Sequence, residues 1–349
     1  MDFASDNVFG VHPRIIEALT TANAGTAVSY GGDDWTRRAE ERLCEVFERE
    51  VLAFLVVTGT VANALALSTM APSYGAVLCH ADAHIMVDEC GAPELFTGGA
   101  KLIGLDEPAG KITAATIEET LAGFIRGEHD PKPAAISITQ ASEFGTVYTP
   151  DEIAAISAVA RSRKMRLHMD GARFANALVS LEVTPAELTW KAGIDAMSFG
   201  ATKNGAMALE AVVFFDQTLA EDFSFRRMRA GQLLSKGRFL GAQMLAYLKD
   251  NLWLDNARHA NAMAGRLANG LAGAAKVRLP LPTEANEVFA IIPQKLHGDL
   301  ARTGVVYHQW PGAGPGTDRV GKDEILVRFV ASYLTSAEDV DRLIGLMSD

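Results

Sequence analysis

Met165-Arg166-Leu167-His168-Met169-Asp170 is a short apolar-rich run ending in a carboxylate, and Gly171-Ala172-Arg173 leads from it into the helix-like Phe174-Ala175-Asn176-Ala177-Leu178. This is a strand emptying into a helix, with an acid and a base at its mouth. Further along, Ala196-Met197-Ser198-Phe199 runs into Gly200-Ala201-Thr202-Lys203-Asn204-Gly205, and a second apolar stretch spans Met207 to Phe215. Lys203 thus stands among small residues between two apolar stretches, which makes it a candidate Schiff-base nucleophile. Toward the N-terminus, Leu52 to Val57, Ala76 to His80, Lys101 to Asp106 and Ala134 to Thr139 are further strand candidates. Helix-like Val61 to Met70, Thr113 to Arg126 and Pro150 to Arg163 alternate with them. The alternation predicts an α/β fold with a mostly parallel sheet covered by helices. In such sheets a ligand sits beyond the carboxyl ends of the strands, where Thr60, Asp170 and Lys203 fall.

Taken singly, these residues have ordinary readings: an Asp at a strand end is a cap or turn residue, and a lone Lys is a solvated charge. Taken together they match what pyridoxal phosphate requires, a carboxylate on its pyridine nitrogen and a lysine on its aldehyde. The turn Thr58-Gly59-Thr60 adds a place for the phosphate, because helix N-termini present unpaired N–H groups to anions. There Gly59 admits close approach of the backbone and Thr60 supplies a hydroxyl.

Composition bounds the alternatives. The chain has 349 residues, 48% hydrophobic and 21% charged, enough to bury a sizeable core and to divide into a large and a small domain. A formal charge of -11 and a pI near 5.3 argue against nucleic acid or an anionic membrane as partner. Cys44, Cys79 and Cys90 lack metal-ligand spacing and read as reduced core thiols, so no metal site is expected. The acidic start Met1-Asp2-Phe3-Ala4-Ser5-Asp6 is unlike a signal peptide, and no apolar run approaches spanning length, which predicts a cytoplasmic protein.

A boundary is expected at residue 252, giving a large domain with an N-terminal arm (1–252) and a small α+β domain (253–349). In the latter, strands are predicted at Asn286 to Ile292, Val305 to His308 and Glu324 to Ala331, with helices at Gln294 to Arg302 and Ser336 to Met347. Pro311-Gly312-Ala313-Gly314-Pro315-Gly316 reads as a loop. Arg328 lies inside an apolar strand and needs a partner if buried; its fork suits a ligand carboxylate, with a structural ion pair as the rival reading. Near the N-terminus, Thr36 is expected to cap the charged helix Arg37 to Glu48.

The segments His168-Met169-Asp170-Gly171-Ala172-Arg173 and Ser198-Phe199-Gly200-Ala201-Thr202-Lys203-Asn204-Gly205 resemble those of the aromatic amino acid β-eliminating lyase and threonine aldolase group of fold-type I pyridoxal phosphate enzymes. The likeness is greatest to low-specificity L-threonine and L-phenylserine aldolases and covers nearly the whole chain. It implies a seven-stranded, mostly parallel sheet and pyridoxal 5'-phosphate on Lys203. The implied reaction is cleavage of L-threonine, L-allo-threonine or L-phenylserine to glycine and an aldehyde. It further implies that His84 stacks on the cofactor ring and that Ser5, Arg173 and Arg328 hold the substrate carboxylate. Tyr30 would lie near the cofactor phosphate and the subunit interface of a homodimer or homotetramer, with a base from the segment Arg226 to Arg238, Lys236 among its candidates, reaching the phosphate from the neighbouring subunit. Glu89 matches another position of the family without an evident role. The sequence departs from the family where a second active-site His is common: Thr139-Gln140-Ala141-Ser142-Glu143-Phe144-Gly145-Thr146-Val147-Tyr148 contains none. A water, His84 or the cofactor phosphate is then left to accept the substrate's proton. The same scaffold also supports β-elimination or transamination, or a silent binding protein.

Overall fold

The computed structural model describes residues 1–310 and 320–348. Seven strands form the large sheet: β1 (Leu52–Val56), β2 (Gly75–His80), β3 (Lys101–Leu105), β4 (Lys132–Thr139), β5 (Arg166–Gly171), β6 (Ala196–Gly200) and β7 (Glu210–Phe214). Their order is β1-β7-β6-β5-β4-β2-β3. Only β7 runs against its neighbours, pairing antiparallel with both β1 and β6, while the β6-β5-β4-β2-β3 pairs are parallel. The continuous apolar runs in the sequence have the cause expected of them: β2, β6 and β7 are buried along their whole length, because helices cover both faces.

Register places the chemistry. Thr139, Asp170 and Ser198 stand side by side at the carboxyl ends of β4, β5 and β6. The reversed β7 begins at the edge where its neighbours end, so Glu210 faces Gly200 on one side and Val56 on the other. A strand-to-helix turn follows β1, and the helix Gly59–Met70 that leaves it is apolar around its full circumference, with a single amide, Asn63, buried in its first half. A helix of this kind belongs inside the protein rather than on its surface.

Local signals differ from expectation in small ways with clear reasons. The charged helix spans Asp34–Val46 and is capped by Asp33, whose carboxylate accepts from the Thr36 amide (2.8 Å) and hydroxyl (2.9 Å). A carboxylate three residues ahead of an open amide outcompetes the Thr hydroxyl within the helix. The helix Pro150–Ser162 carries a full capping box made by Thr149 and Glu152. Of the cysteines, Cys79 is in the core, Cys44 is half-buried and Cys90 is exposed, all as free thiols.

The C-terminal sheet is antiparallel, ordered β8 (Glu287–Pro293), β10 (Glu324–Val330), β9 (His308–Gln309), and packs on the helices Leu252–Leu271, Gln294–Arg302 and Ala337–Ser348. The strand expected over 305–308 is shifted to His308–Gln309, with Val306 bridging to Asp2. The N-terminal arm is threaded into this sheet: the Phe3 amide donates to the Val306 carbonyl (2.8 Å), and the Val330 amide to that of Phe3 (2.8 Å). Ser5 and Asp6 are thereby held between the two sheets. The loop expected over 311–316 lies outside the described residues. No helix among the described residues is long and apolar enough to cross a membrane.

Candidate active site

A cavity of about 410 Å³ opens at the carboxyl ends of the large sheet and is closed on its far side by the small one. Ser5, Gly59, Thr60, His84, Asp170, Arg173, Lys203 and Arg328 all line it. Elements from both ends of the chain are needed to assemble this set. Tyr30 is outside: it is exposed, has φ 57°, and its amide donates to the Ser235 carbonyl (3.1 Å), which sets it beside exposed Lys236.

Asp170 forms the floor. Its Oδ2 accepts from Asn63 Nδ2 (2.7 Å), and its Oδ1 accepts from the Ala172 amide (3.0 Å) and from Ser198 Oγ at 3.4 Å. Both oxygens are engaged, so the carboxylate is fixed before any ligand arrives. Beneath it His168 is fully buried and its pKa is pushed down to about 4 by burial, which leaves it neutral. Asn63 also donates to Glu89 Oε1 (2.9 Å), the same oxygen that pairs with His84 Nδ1 (2.9 Å). Glu89 therefore orients the imidazole, and this hydrogen bond is the main cause that raises the His84 pKa above its ordinary value.

Lys203 follows β6 in a one-turn helix, Thr202–Asn204, whose fold is fixed from outside: Asn204 donates to the Tyr247 hydroxyl (2.8 Å) and the Trp253 carbonyl (2.7 Å). The backbone is rigid, yet among the described residues the Lys203 amine has no hydrogen-bond or ion-pair partner. Thr58, not Thr60, caps the helix Gly59–Met70, accepting from the Val61 amide at 3.3 Å. The amides of Gly59 and Thr60 have no acceptor within the helix, and a Cβ built on Gly59 would meet nothing within 4 Å.

The opposite wall is a charge cluster. Arg173 Nε and Nη2 donate to the two oxygens of Asp6 (2.8 and 3.1 Å), and Asn286 also donates to Asp6 (3.1 Å). Against the cost of burial, the Asp6 and Glu287 carboxylates hold the Arg173 pKa well above its ordinary value. Arg328 lies 3.3 Å from Glu287, with its guanidinium carbon 4.6 Å above the Trp310 ring, and its buried Nε has no hydrogen-bond partner among the described residues. Both oxygens of Glu287 also lack a hydrogen bond of good geometry. Both readings of Arg328 thus find support, an ion pair on one side and an unmet donor on the other.

Several residues around the cavity escaped the sequence reading. Asn63, Glu143, Glu210 and Trp310 line it, and each has a legible local oddity: an amide in an apolar helix, an acid in the segment lacking the second His, an acid opening an apolar strand, and an indole before a glycine-rich loop. Burial pushes the carboxyls of Glu143 and Glu210 up to about 7.

The donor set fits pyridoxal phosphate. It offers a pre-fixed carboxylate, an unpaired amine beyond the next strand, an imidazole held by its own acid, and open helix amides beside a glycine with free space.

The chain matches the beta-eliminating lyase family model over residues 2–294. It is 46% identical to a low specificity L-threonine aldolase of Pseudomonas sp. over 312 residues, 89% of this chain and 90% of the relative. It is 43% identical to the low specificity L-threonine aldolase of Pseudomonas aeruginosa over 341 residues, 98% and 95% of the two chains. A Leishmania major threonine aldolase structure superposes with a TM-score of 0.90 at 29% identity, covering 99% of this chain and 98% of that one. A Sphingomonas wittichii serine palmitoyltransferase, at 17% identity and TM-score 0.72 over 100% of this chain and 86% of that one, shares the fold. With a floor and wall of the right chemistry and a match along almost its whole length, this chain belongs to the beta-eliminating lyase family.

Proposed function

We propose that this protein is a pyridoxal phosphate-dependent aldolase that cleaves L-β-hydroxy-α-amino acids, such as L-threonine, L-allo-threonine or L-phenylserine, to glycine and an aldehyde. The observation that carries the reading is the meeting of Asp170, Lys203 and Arg328 in one cavity, in a chain 46% identical to a low specificity L-threonine aldolase. When bound, the cofactor supplies an electron sink conjugated to the amino-acid nitrogen. Asp170 would keep a proton at its pyridine nitrogen, Lys203 would hold its aldehyde carbon, His84 would cover its ring, and the amides at Gly59 and Thr60 would take its phosphate. The substrate carboxylate is taken by Arg328, whose Nε is unmet, by Ser5, and by Nη1 of Arg173, the nitrogen not given to Asp6. Gripping the carboxylate on one side would leave the amino acid one orientation in the cavity, and that orientation would select which bond to the α-carbon breaks.

The same reading includes a large unit of residues 1–252, a small unit of 253–349, and a homodimer or homotetramer working in the cytoplasm. Tyr30 and Lys236, adjacent on the surface and away from the cavity, are its proposed subunit contacts. Incubation of the purified holoenzyme with L-threonine and with L-phenylserine tests the activity. Equal amounts of glycine and aldehyde are expected; pyruvate with ammonia, or a keto acid, would indicate elimination or transamination instead.

A further inference from the structure

We infer that Glu143 is the group that accepts the β-hydroxyl proton, filling the place in the site where this chain lacks the family's second His. The inference rests on the aldolase reading and names a catalytic residue within it. One oxygen of Glu143 is clamped and the other is not. Oε1 accepts from the His84 amide (2.8 Å) and from Thr139 Oγ1 (2.9 Å), so the carboxylate is anchored to the loop that carries the imidazole and to the end of β4. Oε2 is buried and has no hydrogen-bond partner among the described residues, in a residue only 8% exposed that lines the cavity. An unmatched acceptor in such a place costs free energy unless a ligand supplies the donor.

The other acids at or beside the cavity do not meet these conditions, and Asp88, which also lines it, is exposed. Glu89 Oε2 is also unpartnered, but its side chain is fully buried and does not reach the cavity. Glu210 lines the cavity, but its Oε2 accepts from the Ala201 amide (3.0 Å), and among the described residues it has no buried oxygen left without a partner, as Glu143 does. Asp170 has both oxygens engaged. His84 has its Nδ1 engaged by Glu89 Oε1 (2.9 Å), a bond that raises its pKa and orients its ring, and the His84→Phe variant separates a ring-covering role from a proton-accepting one. Position agrees with the role: Glu143 bonds the His84 amide, and the ring of the next residue, Phe144, lies 5.7 Å from the Trp310 ring on which Arg328 stacks, so this stretch of chain runs from the His84 loop to the wall. Burial, with the nearby Asp170 charge adding to it, pushes the Glu143 carboxyl up to about 7, where a base is matched to neutral operation.

In the step assigned to it, Glu143 Oε2 takes the proton of the β-hydroxyl. The electrons of that O–H bond become the second C–O bond of the aldehyde, and the Cα–Cβ pair stays with the α-carbon. A solvent proton then restores the C–H bond of glycine while Glu143 returns its own proton to water, so no net proton is gained or lost.

The test compares wild type, Glu143→Gln and Glu143→Ala as holoenzymes with matched cofactor content. Three readouts are taken: cleavage of L-phenylserine, exchange of the glycine α-proton in D2O, and glycine binding by calorimetry. Cleavage should fall roughly 10² to 10⁴ in both variants. Glycine has no β-hydroxyl, so its binding and exchange should stay near wild type. Added formate should restore part of the lost rate in Glu143→Ala and none in Glu143→Gln. Cleavage within about tenfold of wild type, well short of what a general base contributes, would overturn the inference. So would a parallel loss of glycine binding or exchange, or the absence of formate rescue. If wild type itself releases no aldehyde, it is the aldolase reading that fails.

Discussion

The floor and the wall of the cavity are both built from buried charged groups, yet they are finished differently. On the floor, Asp170 has each oxygen engaged by strand, helix or backbone donors, and the set is complete without a ligand. On the wall, Asp6 is satisfied by Arg173 and Asn286, while Arg328 Nε and both oxygens of Glu287 remain without good hydrogen bonds. The difference separates two jobs. In the proposed function, the closed network would hold a fixed charge against the cofactor without reorganisation, whereas the open one would keep donors in reserve for a substrate that comes and goes.

Substitutions can break this contrast. The largest effect is expected at the amine between the two regions: Lys203→Ala should abolish turnover while leaving the fold intact, as the half-buried Lys203 side chain contributes no hydrogen bond or ion pair among the described residues. Steady-state kinetics and circular dichroism together check both halves. On the floor, Asp170→Asn should lower kcat by roughly 10² to 10³, the scale seen when one preorganised electrostatic partner is removed. Its KM should change much less. On the wall, the split should reverse: Arg328→Ala removes a charge-assisted carboxylate contact worth about 1.5–3 kcal/mol, which corresponds to a rise in KM of about tenfold to a hundredfold. If Arg328→Ala lowers kcat alone, the wall is not a substrate clamp.

The smallest effect is expected at His84. Replacement by Phe keeps a flat ring over the cofactor, and aromatic contacts are worth roughly 0.5–1.5 kcal/mol, so kcat should fall by no more than about tenfold. His84→Asn should fall further, since it removes the ring. A loss of two or more orders of magnitude in His84→Phe would give the imidazole a proton-transfer role and weaken the case for Glu143.

Much of the floor was legible in the sequence, and less of the wall. Asp170 and Lys203 sit at strand ends, and the period of a doubly buried strand marks those ends by composition alone. The direction of β7 was not legible, because an apolar run reads the same both ways; its reversal is what brings Glu210 to the site edge. Asn63 looked like one polar residue in an apolar helix until Asp170 and Glu89, 107 and 26 residues away, supplied its partners. The wall depends on cross-strand and interdomain pairs: Arg328 meets Glu287 across β10 and β8, and Arg173 meets Asp6 over 167 positions. Local pattern carries no signal for such pairs. The segment after β4 was read for the His it lacks, so the acid it contains was passed over.

The central claim is that the cavity holds its cofactor on Lys203, between a closed floor and an open wall. Borohydride reduction of the purified holoenzyme followed by peptide mapping tests it most directly. The account predicts one stable pyridoxyl adduct, on the peptide containing Thr202-Lys203-Asn204. An adduct on any other lysine would contradict it.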